Sequence, residues 1–303
     1  MTTAQSKTLS MTPPRTADRR TRRRANAAAT NKPNFLGYTF LVIVILGSLF
    51  PLYWSLLIGS GDASTLRNLD VNWLPGGNLI ENMAKVLENE AVGFWRALGN
   101  SLIVSTVVSV SVVLFSTLAG YAFAKLRFRG SKGFLVFVIA TMAVPTQLGI
   151  VPLFIAMSQW LHLSGNILAV ILPALVSAFG VFWMTQYLSQ ALPDELIEAA
   201  RVDGANMIRT FWHIALPAAR PAAAMLGLFI FIGTWTNFFW PFIILNSSNP
   251  TLPVALSLLQ SNFFVDYSIV LAGVLLSTIP LLILFVVAGK QLVSGIMQGA
   301  VKG

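Results

Sequence analysis

Six long apolar runs, 35–58, 97–121, 134–157, 166–188, 221–245 and 268–289, contain no Asp, Glu, Lys, Arg or His. About 20 apolar residues in helical form cross a hydrocarbon core, and each run is long enough. In lipid every backbone N–H and C=O must find its partner within the chain, so runs of this kind are read as helices. The rest of the composition agrees. Only 10% of the 303 residues are charged, against roughly 25% in a soluble domain, and the mean hydropathy is +0.73. The sequence therefore predicts an all-α membrane protein with six transmembrane helices. It has no cysteine, which excludes disulfides, thiolate nucleophiles and cysteine metal sites.

Charge placement gives an orientation. Seventeen of the twenty Lys and Arg fall in 1–34, 125–132, 190–220 and the residues after 289; Arg67, Lys85 and Arg96 are the other three. The positive-inside rule then places both termini and the loop 189–220 in the cytoplasm. Three regions follow: a basic tail (1–34), a membrane domain (35–289) and a short C-terminal tail (290–303). The basic tail has no apolar periodicity and reads as disordered. It lacks aromatics, so attraction to anionic lipid is expected of it rather than nucleic-acid binding. The run after it is too long for a signal-peptide core and reads as an uncleaved anchor. The loop 59–96 holds a WLPGG segment, a short helix expected near 79–87, and five acidic residues. Its charges read either as solvated surface or as a docking face for an external partner.

The longest charged interval behind the tail is Glu195–Pro217, ELIEAARVDGANMIRTFWHIALP. Pro193 suits the start of a helix, Asp194 and Glu195 complement its positive end, and Gly204 suits a left-handed stop. A second helix is expected from a cap at Asn206 to Leu216, ended by Pro217. Leu192, Leu196, Ala199 and Ala200 fall on one face of the first helix, and Ile208, Phe211 and Ala215 on one face of the second. Glu198, Ala199, Ala200, Gly204, Ile214, Leu216 and Pro217 match, position for position, the EAA loop of membrane subunits of binding-protein-dependent ABC importers. The chain resembles that family, and its sugar-importing branch, over roughly 100–303. Asn100-Ser101-Leu102, Tyr121-Ala122-Phe123-Ala124, the Pro145 to Pro152-Leu153 pattern and the C-terminal GIMQGAVKG carry the rest of the resemblance.

The resemblance implies a type I importer permease bundle in a bacterial plasma membrane, with a cytoplasmic coupling helix between spans four and five. It implies a second permease subunit, two ATPase subunits that hold ATP and Mg, and an extracytoplasmic sugar-binding protein. Coupling falls to Leu196, Glu198, Ala199, Ala200, Gly204, Ile214, Leu216 and Pro217, with Ile197 beside Leu196 as apolar contact. The branch points to a di- or oligosaccharide, such as a cellobiose-like β-glucoside. The C-terminal tail either reaches the ATPases, as in the maltose-type branch, or is an ordinary flexible end.

The residues themselves set the alternatives. No span carries Asp, Glu, Lys, Arg or His, which argues against a proton relay. The chain has no phosphate-binding G-x-x-x-x-G-K-[ST] loop, so ATP would be used by another polypeptide and this chain is expected to bind no cofactor. His162 and His213 have no carboxylate at ligand spacing and read as polar boundary residues, so no enzyme is expected. A secondary transporter or a permease for a non-sugar solute are the alternatives. For the substrate pathway, a continuous fifth helix would place Trp235, Phe239 and Phe242 on one face and Thr234, Asn237 and Pro241 on another. Aromatic platforms beside amides and hydroxyls suit sugars; an interfacial aromatic belt suits the same residues. Gln147 and Thr146 beside Pro145 form a second polar set, with helix packing as its alternative reading, and Pro145, Pro152, Pro173, Pro241 and Pro280 are expected to bend the spans that hold them.

Overall fold

The computed structural model describes residues 35–64, 73–261 and 265–300, with side chains through 287. The basic tail and Arg67 lie outside these. Thirteen α-helices are named here: α1 (Phe35–Gly59), α2 (Leu79–Glu88), α3 (Phe94–Lys125), α4 (Ser131–Thr141), α5 (Ile150–Ile155), α6 (Leu168–Ala174), α7 (Ala178–Ala191), α8 (Asp194–Val202), α9 (Met207–Thr210), α10 (Leu216–Trp235), α11 (Phe239–Ile244), α12 (Leu252–Ser257) and α13 (Tyr267–Ala300). No strand occurs among the described residues. The chain divides into two units, Met1–Tyr53 and Trp54–Gly303. Of the first, the described residues are the helical Phe35–Tyr53, apolar and mostly exposed. The second holds the bundle.

Five helical segments, Phe35–Gly59, Phe94–Lys125, Leu168–Ala191, Met207–Trp235 and Tyr267–Val287, are long and apolar enough to cross a membrane. A sixth exists only if Ser131–Thr141 and Thr146–Trp160, bent 88° to each other, count as one span. The bend expected within the third span (134–157) is thus a sharp corner. Its cause is local. The N–H groups of Met142, Ala143 and Val144 turn back three residues to Ile139, Ala140 and Thr141, tightening the last turn. Pro145 then has no N–H to donate and pushes Val144 out of the helical region.

α3 is the centre of the bundle. Ala97, Asn100, Ser101, Val104, Ser105, Val108, Ser109, Val112, Ser116, Thr117, Gly120 and Tyr121 are its buried face. Their spacing of three and four is one helical stripe, and nearly all are small. The large residues Leu102, Ile103, Val110, Phe115 and Leu118 face outward. Without water to drive association, membrane helices gain from close backbone approach, and small residues permit it. A Cβ on Gly120 would lie 2.7 Å from Met184 Cβ and 2.9 Å from the Thr185 nitrogen on α7. A Cβ on Gly180 would overlap Ser116 Oγ and come 3.1 Å from Ser116 Cβ. Ser116 Oγ is buried without a hydrogen-bond partner. We therefore expect Gly180→Ala to lower the thermal unfolding midpoint, and Ser116→Gly in the same chain to restore part of it. A double variant no better than Gly180→Ala would contradict this packing.

Prolines leave carbonyls that other groups fill. Pro173 has no N–H for the Ala169 carbonyl, one turn back in α6. Trp240 Nε1 donates to that carbonyl at 3.0 Å. Trp183 Nε1 donates to the Ala222 carbonyl at 3.2 Å, tying α7 to α10. One core, containing Val104, Val108, Val112, Tyr121, Met184, Leu188, Leu192, Ile197, Phe211 and Leu226, runs to the end of the bundle where α8 lies. A second, with Val86, Phe94, Trp235, Leu252 and Val270, occupies the opposite end. There α2 realises the short helix expected near 79–87, with Lys85 Nζ 2.8 Å from Glu81 across one turn.

The α13 backbone is helical through Ala300, so residues 290–300 of the C-terminal tail continue the helix of the last span. At 1.5 Å per residue its 34 residues reach about 50 Å, well beyond a hydrocarbon core of about 30 Å.

Candidate functional site: a polar elbow and two broken spans

The elbow forms as its residues dictate. Pro193 precedes α8 in an extended conformation (φ −61°, ψ 143°). Asp194 and Glu195 lie in the first turn and Arg201 in the last, each complementing the helix dipole. Gly204 takes φ +78°. Its N–H bonds to the Arg201 carbonyl at 3.0 Å and that of Ala205 to the Ala200 carbonyl at 2.9 Å. This is the paired closure of a Schellman cap, which needs a left-handed residue at Gly204. The Asn206 side chain then caps α9 by accepting from the Arg209 N–H at 2.8 Å.

Pro217 does not end the second helix. Helical backbone runs from Met207 to Trp235 through a π turn at Phe211–Ala215, closed by the Leu216 N–H on the Phe211 carbonyl. A proline inside a helix crowds the carbonyl four residues back, here that of His213. The wider turn makes room for it. The π turn also shifts the helical phase: Phe211 and Ala215 are buried, whereas Ile208 is 71% exposed and does not share their face.

The elbow has two faces. Ile197 packs in the bundle's own core and Ala200 is buried, so neither is open on the outward face. Ile214 and Leu216 also pack on that core, and Pro217 is half-buried. Leu196, Glu198, Ala199 and Gly204 are exposed, and Val202, Met207, Ile208 and Trp212 continue the outward face. The result is an apolar patch with an acidic group on its rim.

Two contacts bind the elbow to α3. Tyr121 packs on Phe211 with ring centroids 5.9 Å apart. Lys125 Nζ, on a side chain only 6% exposed, lies 2.7 Å from Asp194 Oδ1. The last residue of α3 thereby holds the first residue of α8. The hydrogen bond from Lys125, then its charge, with Arg127 adding, keep the Asp194 carboxyl below its ordinary value of 3.8. A depressed carboxyl contributes stability above that value and loses it as pH falls through the folded one. The difference in unfolding midpoint between wild type and Asp194→Asn should be constant near neutrality and shrink toward zero below about pH 3.8. A difference that persists in acid would show that the ion pair is not its source. This tie was not foreseen; Lys125 directly after an apolar run and Asp194 at a helix start were its only signals.

At the opposite end, Asn100 Nδ2 donates to Asn249 Oδ1 at 2.8 Å and to the Pro250 carbonyl at 2.9 Å. Asn249 Nδ2 reaches the Gly165 carbonyl at 3.0 Å, and the Leu252 N–H reaches Ser101 Oγ at 2.7 Å. Asn100 and Ser101, noted above as part of the family resemblance, thus clamp the 246–251 loop to α3.

The expected aromatic face of the fifth span does not form. The helix stops at Trp235, and α11 starts anew at Phe239. Pro241 would crowd the carbonyl of Asn237, four residues back, and the break falls there. Trp235 is buried, stacked on Phe231 at 5.8 Å, and donates to the Ser277 carbonyl at 3.3 Å. It is a packing residue between α10 and α13. Asn237, Phe239 and Phe242 are exposed. Thr146 and Gln147 are exposed just after the Pro145 corner. The short helices that follow the two breaks, α5 and α11, pack on each other.

A bundle of apolar helices with two broken spans and a rigid polar elbow defines a multi-span transport subunit. The chain belongs to the binding-protein-dependent transport system inner membrane component family, which it matches over residues 113–293. It is 34% identical over 272 residues to the arabinooligosaccharides transport system permease protein of Halalkalibacterium halodurans, covering 88% of this chain and 95% of the relative. It is 32% identical to the lactose transport system permease protein of Rhizobium radiobacter, covering 89% and 97%. Among solved structures it resembles a chain of a bacterial ABC transporter that imports the acidic polysaccharide alginate, with a TM-score of 0.69, 24% identity, and coverage of 92% of this chain and 99% of that one.

Proposed function

We propose that this chain is one of two membrane subunits of an ATP-driven carbohydrate importer. The observation that carries the reading is the elbow: a glycine-capped helix fixed to α3 on one face and presenting Leu196, Ala199, Val202 and Ile208 on the other. Such a part transmits a push only if it is stiff and protrudes. Two ATPase subunits, binding ATP and Mg, would grip this elbow and that of a second permease subunit. Their closure would rock the spans between inward- and outward-open states. Glu198 on the rim would pair with a cation of the ATPase and fix the register. An extracytoplasmic binding protein would deliver the solute. This chain holds no ATP and catalyses nothing itself.

The solute is a di- or oligosaccharide, the kind of compound for which the arabinooligosaccharide and lactose permeases are named. The two breaks support a pathway there. Broken backbone at membrane depth survives only against protein or a water-filled cavity, and the exposed amides of Asn237 and Gln147, with the exposed ring of Phe239, suit a sugar's hydroxyl edges and C–H faces. The positive-inside count puts α8 in the cytoplasm. Since the chain has no cysteine, a single cysteine at Val202 tests that directly: labelling only from the cytoplasmic side is expected. The function is tested by purifying the chain in mild detergent with whatever binds it, then assaying ATP-dependent uptake of candidate oligosaccharides in vesicles with the binding protein outside. Uptake by this chain alone on an ion gradient would overturn the reading.

A further inference from the structure

Between the end of α3, the loop that follows it and α8 lies a groove of about 520 Å³, lined by Phe123, Phe128, Arg127, Arg129, Ser131 and Lys132, with Lys125 and Asp194 as its far wall. A neighbouring hollow of about 390 Å³ shares Arg127 and Phe128 with it and reaches Arg201. Lys125 is committed to Asp194. Arg127, Arg129 and Lys132 have no carboxylate within ion-pair distance among the described residues. The groove therefore gathers three positive charges outside any ion pair, with Asp194 in its lining and Glu198 in the neighbouring hollow, beside Phe123 and Phe128, which lie 5.8 Å apart.

The position of these charges is fixed by topology. Lys125 is the last residue of one membrane helix and Ser131 the first of the next apolar helix. The apolar run of α4 begins at Phe134, two residues after Lys132, so in a membrane these cations would border the hydrocarbon edge at headgroup depth. Phe134, Val136 and Phe137 on α4, directly after the loop, are all more than 60% exposed. Cations at headgroup depth with an exposed apolar helix face beside them match the two ends of a phospholipid.

We propose that this groove binds the phosphate headgroup of an anionic phospholipid of the cytoplasmic leaflet, with an acyl chain along α4. The orientation comes from the reading under Proposed function. The bound headgroup would share a wall with the Lys125–Asp194 tie, so lipid charge would bear on the seating of the elbow. Basic pockets beside membrane helices on the cytoplasmic side recognise anionic headgroups in this way.

The test uses the whole importer, reconstituted in phosphatidylcholine vesicles with and without phosphatidylglycerol, each lipid carrying a spin label in turn. Wild type should select labelled phosphatidylglycerol over labelled phosphatidylcholine by about tenfold or more, from three cations at the surface. Arg127→Gln/Arg129→Gln/Lys132→Gln should lose that selection yet still co-purify with its partner subunits. The same selection in the triple variant would overturn the proposal. So would displacement of the labelled lipid by inorganic phosphate, which marks a soluble-anion site. Loss of co-purification with the ATPase would assign the cations to a protein partner and overturn it as well. ATP-driven uptake by the triple variant leaves the importer reading standing whatever the lipid result.

Discussion

Gly120→Val is expected to abolish recovery of folded protein. The added Cβ would meet the Met184 carbonyl carbon at 2.8 Å and the Thr185 nitrogen at 2.9 Å. These are backbone atoms of α7, and no rotamer change moves them aside. Overpacking a well-filled site typically costs about 1–3 kcal/mol. Here relief requires separating α3 from α7, the two most extensively packed helices, so the cost should lie at or above the top of that range. The measurement is the yield of monodisperse protein in mild detergent, together with its unfolding midpoint. Gly99→Val on the same helix is the control, because a Cβ at Gly99 meets nothing within 4 Å. Equal behaviour of the two variants would refute the close approach of α3 and α7.

The second large effect should appear in transport and not in folding. A Cβ at Gly204 also meets nothing within 4 Å, but the residue stands at φ +78°. A β-branched side chain is disfavoured there, and a left-handed conformation costs an ordinary residue about 1–2 kcal/mol. That is a factor of about 5–30 in the equilibrium constant for the correctly bent elbow. Gly204→Val should therefore lower ATP-driven uptake by roughly that factor while expression and ATPase association persist. Gly204→Asn should stay closer to wild type, because asparagine tolerates the left-handed region. If valine and asparagine behave alike, backbone conformation is not what matters at this position.

Much of this was legible in the chain itself, for identifiable reasons. The elbow was readable because its signals are local: a proline and two acids at a start, a glycine at a stop, an asparagine cap. The apolar runs were readable because lipid leaves the backbone few choices. Bends at the prolines were expected, but how sharply each one acts depends on three-dimensional neighbours. Pro145 turned one span through 88°, and Pro241 ended another, yet Pro217 was absorbed by a π turn. Each lacks the same N–H, and the sequence does not say whether the freed carbonyl finds a new donor, as that of Ala169 does in Trp240. The inward and outward faces of α8 were partly misassigned for a similar reason. Ile197 and Leu196 are equivalent as apolar residues, and only the position of α3 decides which is buried. Trp235 shows the same limit: an aromatic suited to a sugar is equally suited to bridging two helices.

α3 runs unbroken for 32 residues, about 48 Å, fastened near one end through Asn100 and Ser101 and at the other through Tyr121 and Lys125. A stiff rod pinned at both extremities cannot yield at one and stay still at the other. Sugar delivery outside and nucleotide closure inside would then be two readings of a single tilt angle, and loosening either pin should blunt the response at the far membrane face.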